Sequence, residues 1–381
     1  MTKSLRQAAG SLLVVGLAGK ELSAMERAWL KLIRPAGIIL YRRNIANARQ
    51  TRALLDEATA FCTANATRFV DVEGGTVNRL GEALAPIPSS QAVGTAVRAS
   101  GKTALAREHG VLIAQAVKAF GFNTALAPML DLALPESAEV MQTRCAGRAA
   151  VDVVNYARAF LAGLRSQSVI GCGKHFPGLG GGTRDSHLET PAIRRSWQDM
   201  WQEDLEPYRA LKDEMPMVMI NHAAYPLTAD SKQPASVSKF WIEDVLKKRI
   251  GYRGIILSDD LEMGGVLKFM TIDAAAVAAV RVGSDLVEIC HHAEPILESY
   301  EALITEAERS ASFRKILLTR AAVTTRKKAR VFSRPIAPAL SNKNFDTLRR
   351  RVLEYGERIA KLAPGVDTPK AATPVTLVGS A

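Results

Sequence analysis

Short runs of apolar, often β-branched residues recur along the chain, and each is followed by a stretch with helical spacing. The runs cover 11–17, 37–41, 67–71, 122–127, 169–173, 217–221, 254–258 and 285–290. They are nearly continuous in apolar residues instead of alternating with polar ones. That is the pattern of parallel strands covered on both faces. Between them apolar residues return every three or four positions, as over 105–120 and 153–164. This is the spacing of helices that bury one face. Eight strand–helix units predict an α/β protein with a (β/α)8 TIM-barrel fold. A doubly wound sheet has the same linear pattern, because strand order leaves no mark on it.

Two segments break the alternation. Residues 174–195 are rich in glycine and lack periodicity, and connections of that length inside a compact domain usually carry function. Beyond 363 the chain is rich in Pro, Thr and Ala and poor in large side chains, which reads as a flexible tail. The expected division is a barrel over 1–335, a basic helical extension over 336–363 and a tail over 364–381.

Composition narrows the class. Hydrophobic residues make up 48% and charged residues 23% of the chain, enough apolar material for one large core. No apolar run approaches the roughly 20 residues a membrane helix needs, so membrane insertion is not expected. Lys3 and Arg6 precede a small apolar stretch, as in a secretion signal. However, Leu12, Leu13, Val14 and Val15 read as a strand, and no small-x-small cleavage site follows. Cys62, Cys145, Cys172 and Cys290 are far apart with no CxxC spacing, so reduced thiols and a cytoplasmic location are expected.

The net charge of +12 is unevenly placed. Residues 314–361 hold fourteen Lys/Arg against three Asp/Glu, which leaves the rest of the chain close to neutral. Amphipathic helices with a solvated basic face account for this. No zinc-finger spacing or RNA-binding aromatic signature accompanies the charge, and no nucleic-acid partner is expected.

Polar residues gather where the predicted strands end: Asp71 and Glu73, Asp131, Lys174 and His175, Asn221 and His222, Asp259 and Asp260, His291 and His292. In a barrel this rim is where the βα loops converge and chemistry is built. A carboxylate leaving a strand directly, as Asp259 does, is held rigidly and suits a nucleophile. Asp260 and Glu262 can equally be the cap and first-turn acids of a helix. Asp185 and His187 are two apart, so on extended backbone they share a face. A carboxylate beside an imidazole orients the ring and stabilises its cation, and such a pair can protonate a leaving oxygen and later deprotonate water. Gly178-x-Gly180 does not make a dinucleotide loop, because Thr183 stands where the third glycine belongs and no helix opens there. Five of the six histidines are His175, His187, His222, His291 and His292, none at i, i+4 ligand spacing. No metal and no cofactor are expected.

In these motifs the sequence resembles glycoside hydrolase family 3, in its single-barrel β-N-acetylglucosaminidase branch. The resemblance spans about residues 11–300. It is carried by Asp71-x-Glu73-Gly74-Gly75-x-Val77-x-Arg79-Leu80, by Ala127-Pro128-x-Leu130-Asp131, and by Arg144. It continues through Gly173-Lys174-His175-Phe176-Pro177-Gly178 and Asp185-Ser186-His187-x-Glu189-Thr190-Pro191, then Pro234-Ala235-Ser236 and the segment 254–263. The resemblance implies Asp259 as nucleophile, His187 as general acid/base with Asp185 as its partner, and Asp71, Arg79, Arg144, Lys174 and His175 as substrate contacts. It implies a retaining hydrolase that releases terminal β-linked N-acetylglucosamine, with a place in peptidoglycan recycling and an anhydromuropeptide substrate. Leu179, Thr76 and Cys145-Ala146 depart from the common pattern, at positions that bear on the aglycone. Two other readings keep the barrel: a phosphorylase using the same nucleophile, and a carbohydrate-binding barrel without catalysis. Hydrolysis is favoured over phosphorolysis because the glycines 180–182 lack a following helix whose N-terminus would hold phosphate.

Overall fold

A computed structural model of the chain describes residues 4–182, 190–228 and 232–366. Among the described residues ten strands are present: β1 Leu13–Val15, β2 Gly37–Leu40, β3 Thr67–Val70, β4 Val72–Gly74, β5 Val77–Asn78, β6 Thr124–Ala125, β7 Ile170–Phe176, β8 Met217–Ile220, β9 Ile255–Asp260 and β10 Leu286–Ile289. Eight of them close a parallel barrel in the order β1-β10-β9-β8-β7-β6-β3-β2. Each barrel strand falls within or across one of the eight apolar runs. The closed ring excludes the doubly wound sheet and makes the fold a (β/α)8 barrel. β4 and β5 form a separate antiparallel hairpin that the apolar pattern does not announce.

Residues two apart on a strand share a face. Val14, Ile39, Phe69, Leu126, Cys172, Met217, Met219, Ile255, Leu257 and Leu286 accordingly fill the barrel's interior as one cluster. The intervening residues, such as Leu13, Ile38, Val70, Val218 and Ile256, pack outward against the helices. Helix starts are written locally. Ser23 caps the Ala24–Ile33 helix in a reciprocal box with Glu26, and Asn47 and Ser89 cap the helices that follow them. All four cysteines are buried and unbridged. Among the described residues no helix is long and apolar enough to cross a membrane.

The basic region forms two long helices, Ala311–Val331 and Asn342–Leu362. The second buries Leu348, Val352, Tyr355 and Ile359 along one face, and the Tyr355 hydroxyl donates to the Leu105 carbonyl at 2.9 Å. Most of its cations stay in water, as the amphipathic pattern predicts. The first helix departs from that pattern, because it crosses the end of the barrel opposite the polar rim. There Lys328 Nζ donates to the Ala36 carbonyl at 2.6 Å, and Lys327 Nζ donates to the Gly254 carbonyl and the buried Asp285 carboxylate, both at 2.6 Å. Part of the positive charge therefore closes the barrel floor.

Candidate active site

The alternation that fills the barrel also aims its upper side chains inward. Asp71 is two residues beyond Phe69, Lys174 two beyond Cys172, Asp259 two beyond Leu257, and Tyr41 two beyond Ile39. The inner faces of β3, β7, β9 and β2 thus deliver two carboxylates, an ammonium and a phenol to the same mouth. Lys174 Nζ lies 2.7 Å from Asp71 Oδ1 and 2.7 Å from Glu73 Oε1. Arg79 sits 3.9 Å from Asp71, with its guanidinium over the Tyr41 ring at 5.5 Å. Arg144 grips Glu73 with two hydrogen bonds of 2.9 Å, from Nε and Nη2.

Burial pushes the Glu73 carboxyl up, but the Arg144 and Lys174 cations more than reverse this and hold it well below the usual carboxylate range. Burial likewise works against the Lys174 ammonium, and Asp71 and Glu73 overcome it and hold its proton firmly. Lys174 is therefore a fixed cation, not a base. Glu73 reaches this position through the hairpin. Gly74 and Gly75 take positive φ, and a Cβ on Gly74 would lie 2.0 Å from the Pro88 carbonyl oxygen, so the turn needs glycine.

His175 points elsewhere than Lys174. Its Nδ1 lies 2.8 Å from Asp131 Oδ2, and the same carboxylate accepts the backbone N–H groups of His175 at 3.1 Å and Leu179 at 2.7 Å. Asp131 thereby ties down the start of the long loop. Asn221 donates to the His175 carbonyl and to the Tyr225 hydroxyl, which donates to the Gly178 carbonyl at 2.7 Å.

The β9 end is braced similarly. Burial lowers the proton affinity of His222, despite the opposing pull of Asp259. The neutral ring donates from Nε2 to the Asp260 carbonyl at 2.9 Å and accepts from the Ser236 hydroxyl at Nδ1, 2.7 Å away. Asp260 caps the next turn, accepting from the Glu262 N–H at 3.0 Å, and meets His291 at 3.1 Å. Glu262 accepts the backbone N–H groups of Cys290, His291 and His292. Asp260 and Glu262 are thus structural carboxylates, and Asp259, partly exposed, faces the mouth.

Of the eight residues singled out in the sequence, Asp71, Arg79, Arg144, Lys174, His175 and Asp259 come together on this rim. Asp185 and His187 lie outside the described residues. Three groups carried no assigned role. Glu73 is the counter-ion of Arg144 and Lys174, Asp131 is the anchor of the loop, and the His222–Ser236 pair supports β9. Glu73, Asp131 and Ser236 stand in the family motifs, and that is the signal that marks them. Among the described residues no group of three or more His, Cys, Asp or Glu side chains is arranged to hold a metal.

A closed parallel barrel with carboxylates and fixed cations converging at the strand C-termini is the layout of a barrel enzyme acting on a polar, hydroxyl-rich ligand. The comparisons carry the assignment further. The N-terminal domain of glycosyl hydrolase family 3 matches residues 4–319, and the chain belongs to that family. A beta-hexosaminidase of Idiomarina loihiensis is 30% identical over 314 residues, 82% of this chain and 94% of that one. Among solved structures, the family 3 beta-N-acetylglucosaminidase of Paenibacillus sp. str. FPU-7 superposes with a TM-score of 0.82 at 28% identity, covering 93% of this chain and 69% of that one. NagZ from Neisseria gonorrhoeae, in complex with N-trifluoroacetyl-D-glucosamine, gives 0.75 at 28% identity over 93% and 98%. The family read from the motifs is borne out.

Proposed function

We propose that this β-N-acetylhexosaminidase is a retaining hydrolase that releases terminal β-linked N-acetylglucosamine by double displacement, with Asp259 as nucleophile. The observation that carries the reading is the shared inner face of β3, β7 and β9, which brings Asp259, Asp71 and Lys174 to one mouth. A sugar held there by Asp71, Arg79 and Lys174 presents its hydroxyls to groups whose positions are already set by ion pairs. Fixing the ring in this way lowers the entropic cost of attack. Arg144 uses Nε and Nη2 on Glu73, so its contribution to the sugar comes from the remaining Nη1. His175, held by Asp131, shapes the wall beside the ring.

In the first step the Asp259 carboxylate attacks the anomeric carbon, and His187 gives its proton to the departing oxygen. In the second, His187 takes a proton from water, and the water displaces Asp259. Asp185 orients the imidazole throughout. The assignment of His187 and Asp185 rests on the Asp185-Ser186-His187 motif. The aglycone we favour is the anhydromuropeptide of peptidoglycan recycling, in a cytoplasm that keeps the four buried thiols reduced.

The direct test is turnover of an aryl β-N-acetylglucosaminide beside the matching glucoside. The expected result is strong preference for the N-acetylated sugar, with free β-anomer as the first product seen by NMR. Equal turnover of both, or first release of the α-anomer, overturns the proposal.

A further inference from the structure

The barrel's inner wall carries one more carboxyl than this reaction uses. On β10, Leu286 and Cys290 both face the interior, so Glu288 between them faces it too. The residue is 1% exposed, and its Oε1 meets no hydrogen-bond partner among the described residues. Strand pairing sets it beside Val14 and Asp260, level with the end of β9 that bears Asp259.

The titratable groups around it come from four neighbouring elements and its own strand. They are Asp259 and Asp260 from β9, Asp71 beyond β3, Lys174 and Cys172 from β7, Tyr41 beyond β2, and Cys290. Lys174, the cation in this set, is already engaged by Asp71 and Glu73. Glu288 therefore meets carboxylates on two sides without a cation of its own. Burial disfavours the charged form of a carboxyl that has no cation of its own, and neighbouring carboxylates disfavour it further.

We propose that Glu288 is a positioning residue for the reaction: uncharged, it leaves the Lys174–Asp71 pair and Asp259 undisturbed at the mouth, and its ionisation in alkali disturbs both. The inference rests on Asp259 being the nucleophile. Burial pushes the Glu288 carboxyl well above the usual carboxylate range, and Asp259, Asp71 and Asp260 push the same way against Lys174. A group raised in this way is neutral below its folded pKa and charged above it, so the working form is lost as pH rises. Once charged, it repels Asp259 and Asp71 and competes with them for Lys174.

Two readouts test this. The first is infrared difference spectroscopy of wild type and E288Q across pH, repeated for wild type and E288Q in the D259N background. A protonated carboxylic-acid band is expected at neutral pH, absent from E288Q and lost in alkali. In D259N its midpoint should fall by about one pH unit or more, because a repelling charge is gone. The second is the pH profile of kcat/KM on an activated aryl glycoside, whose departure needs no acid. Its alkaline limb should move up by about one unit or more in E288Q and in E288L.

An absent band, a midpoint indifferent to Asp259, or an unmoved limb overturns the inference. If either replacement fails to fold, the wild-type band and its shift in D259N still decide. Failure of the nucleophile assignment would appear separately, as a glycosyl group trapped on another residue, while the infrared band and its fall in D259N would still be seen.

Discussion

Replacing Glu73 by glutamine removes one charge from the centre of the site while preserving its shape. Glu73 is fully buried, Lys174 is 3% exposed and Arg144 17%. In E73Q, Lys174 keeps Asp71 at 2.7 Å. Arg144 loses both 2.9 Å hydrogen bonds to a carboxylate and keeps only a 3.5 Å contact with the Met129 sulfur and the more distant field of Asp131. The new amide also turns an N–H toward one of the two cations. Removing one partner of a buried ion pair costs about 3–5 kcal/mol. The partial exposure of Arg144 and the second counter-ion of Lys174 place this case near the lower end, at about 3 kcal/mol.

The sign with pH follows from the direction of the shift. Glu73 is held below the range of a free glutamate, so its stabilisation is complete above the unfolded pKa of about 4.3 and fades as pH falls below it. The gap between wild type and E73Q should be level from about pH 5 to 8 and should narrow progressively below about pH 4, as protonation approaches the depressed folded value. Urea unfolding at several pH values measures it. kcat/KM should drop in parallel, as Lys174 and Arg144 lose their fixed aim. A neutral-pH gap under about 1 kcal/mol, or one that does not narrow in acid, refutes the counter-ion role.

The other predictions concern the chemistry directly. Asp259→Asn should bring turnover to the detection limit while calorimetry still records sugar binding, since an amide is a far poorer nucleophile. A glycosyl adduct trapped on any other residue contradicts this. His187→Ala should cost about 10²–10⁴-fold on natural glycosides and far less on activated aryl ones, and Asp185→Ala should follow the same trend more mildly. Equal losses on both substrates would remove His187 as the acid. With inorganic phosphate present, the product should remain N-acetylglucosamine. A sugar 1-phosphate whose yield rises with added phosphate would instead establish a phosphorylase that keeps the same nucleophile.

The barrel was legible because burial on both faces leaves a signal that needs no partner strand to read. The observed strands are mostly shorter than the apolar runs, since only the paired centre of each run enters the ladder. The rim was legible for a related reason: polar residues at the ends of apolar runs have nowhere else to go in a closed barrel. What stayed hidden is contact across the barrel. Glu73 is two residues from Asp71 and reads as its neighbour on the same face. In the structure β3 ends at Val70, the hairpin turns the chain, and Glu73 meets Arg144, 71 positions away.

Lys327 and Lys328 look like two more solvated cations until the helix that carries them is laid across the barrel floor. Glu288 disappears for the opposite reason, because one acid inside an apolar run reads as an interruption of the outer face. Which face it takes depends on register, and a shift of a single residue would turn it outward. Register is set by the closed order of all eight strands, a property of the assembled ring that no single segment carries. The residues most exposed to that uncertainty are those at the strand ends, where parallel barrels in general build their chemistry. A resemblance that matches whole motifs bypasses the problem for Asp71, Lys174 and Asp259, since the motif brings its register with it. For Glu288, which belongs to none of the quoted motifs, only the folded barrel supplies the neighbours from which a role can be argued.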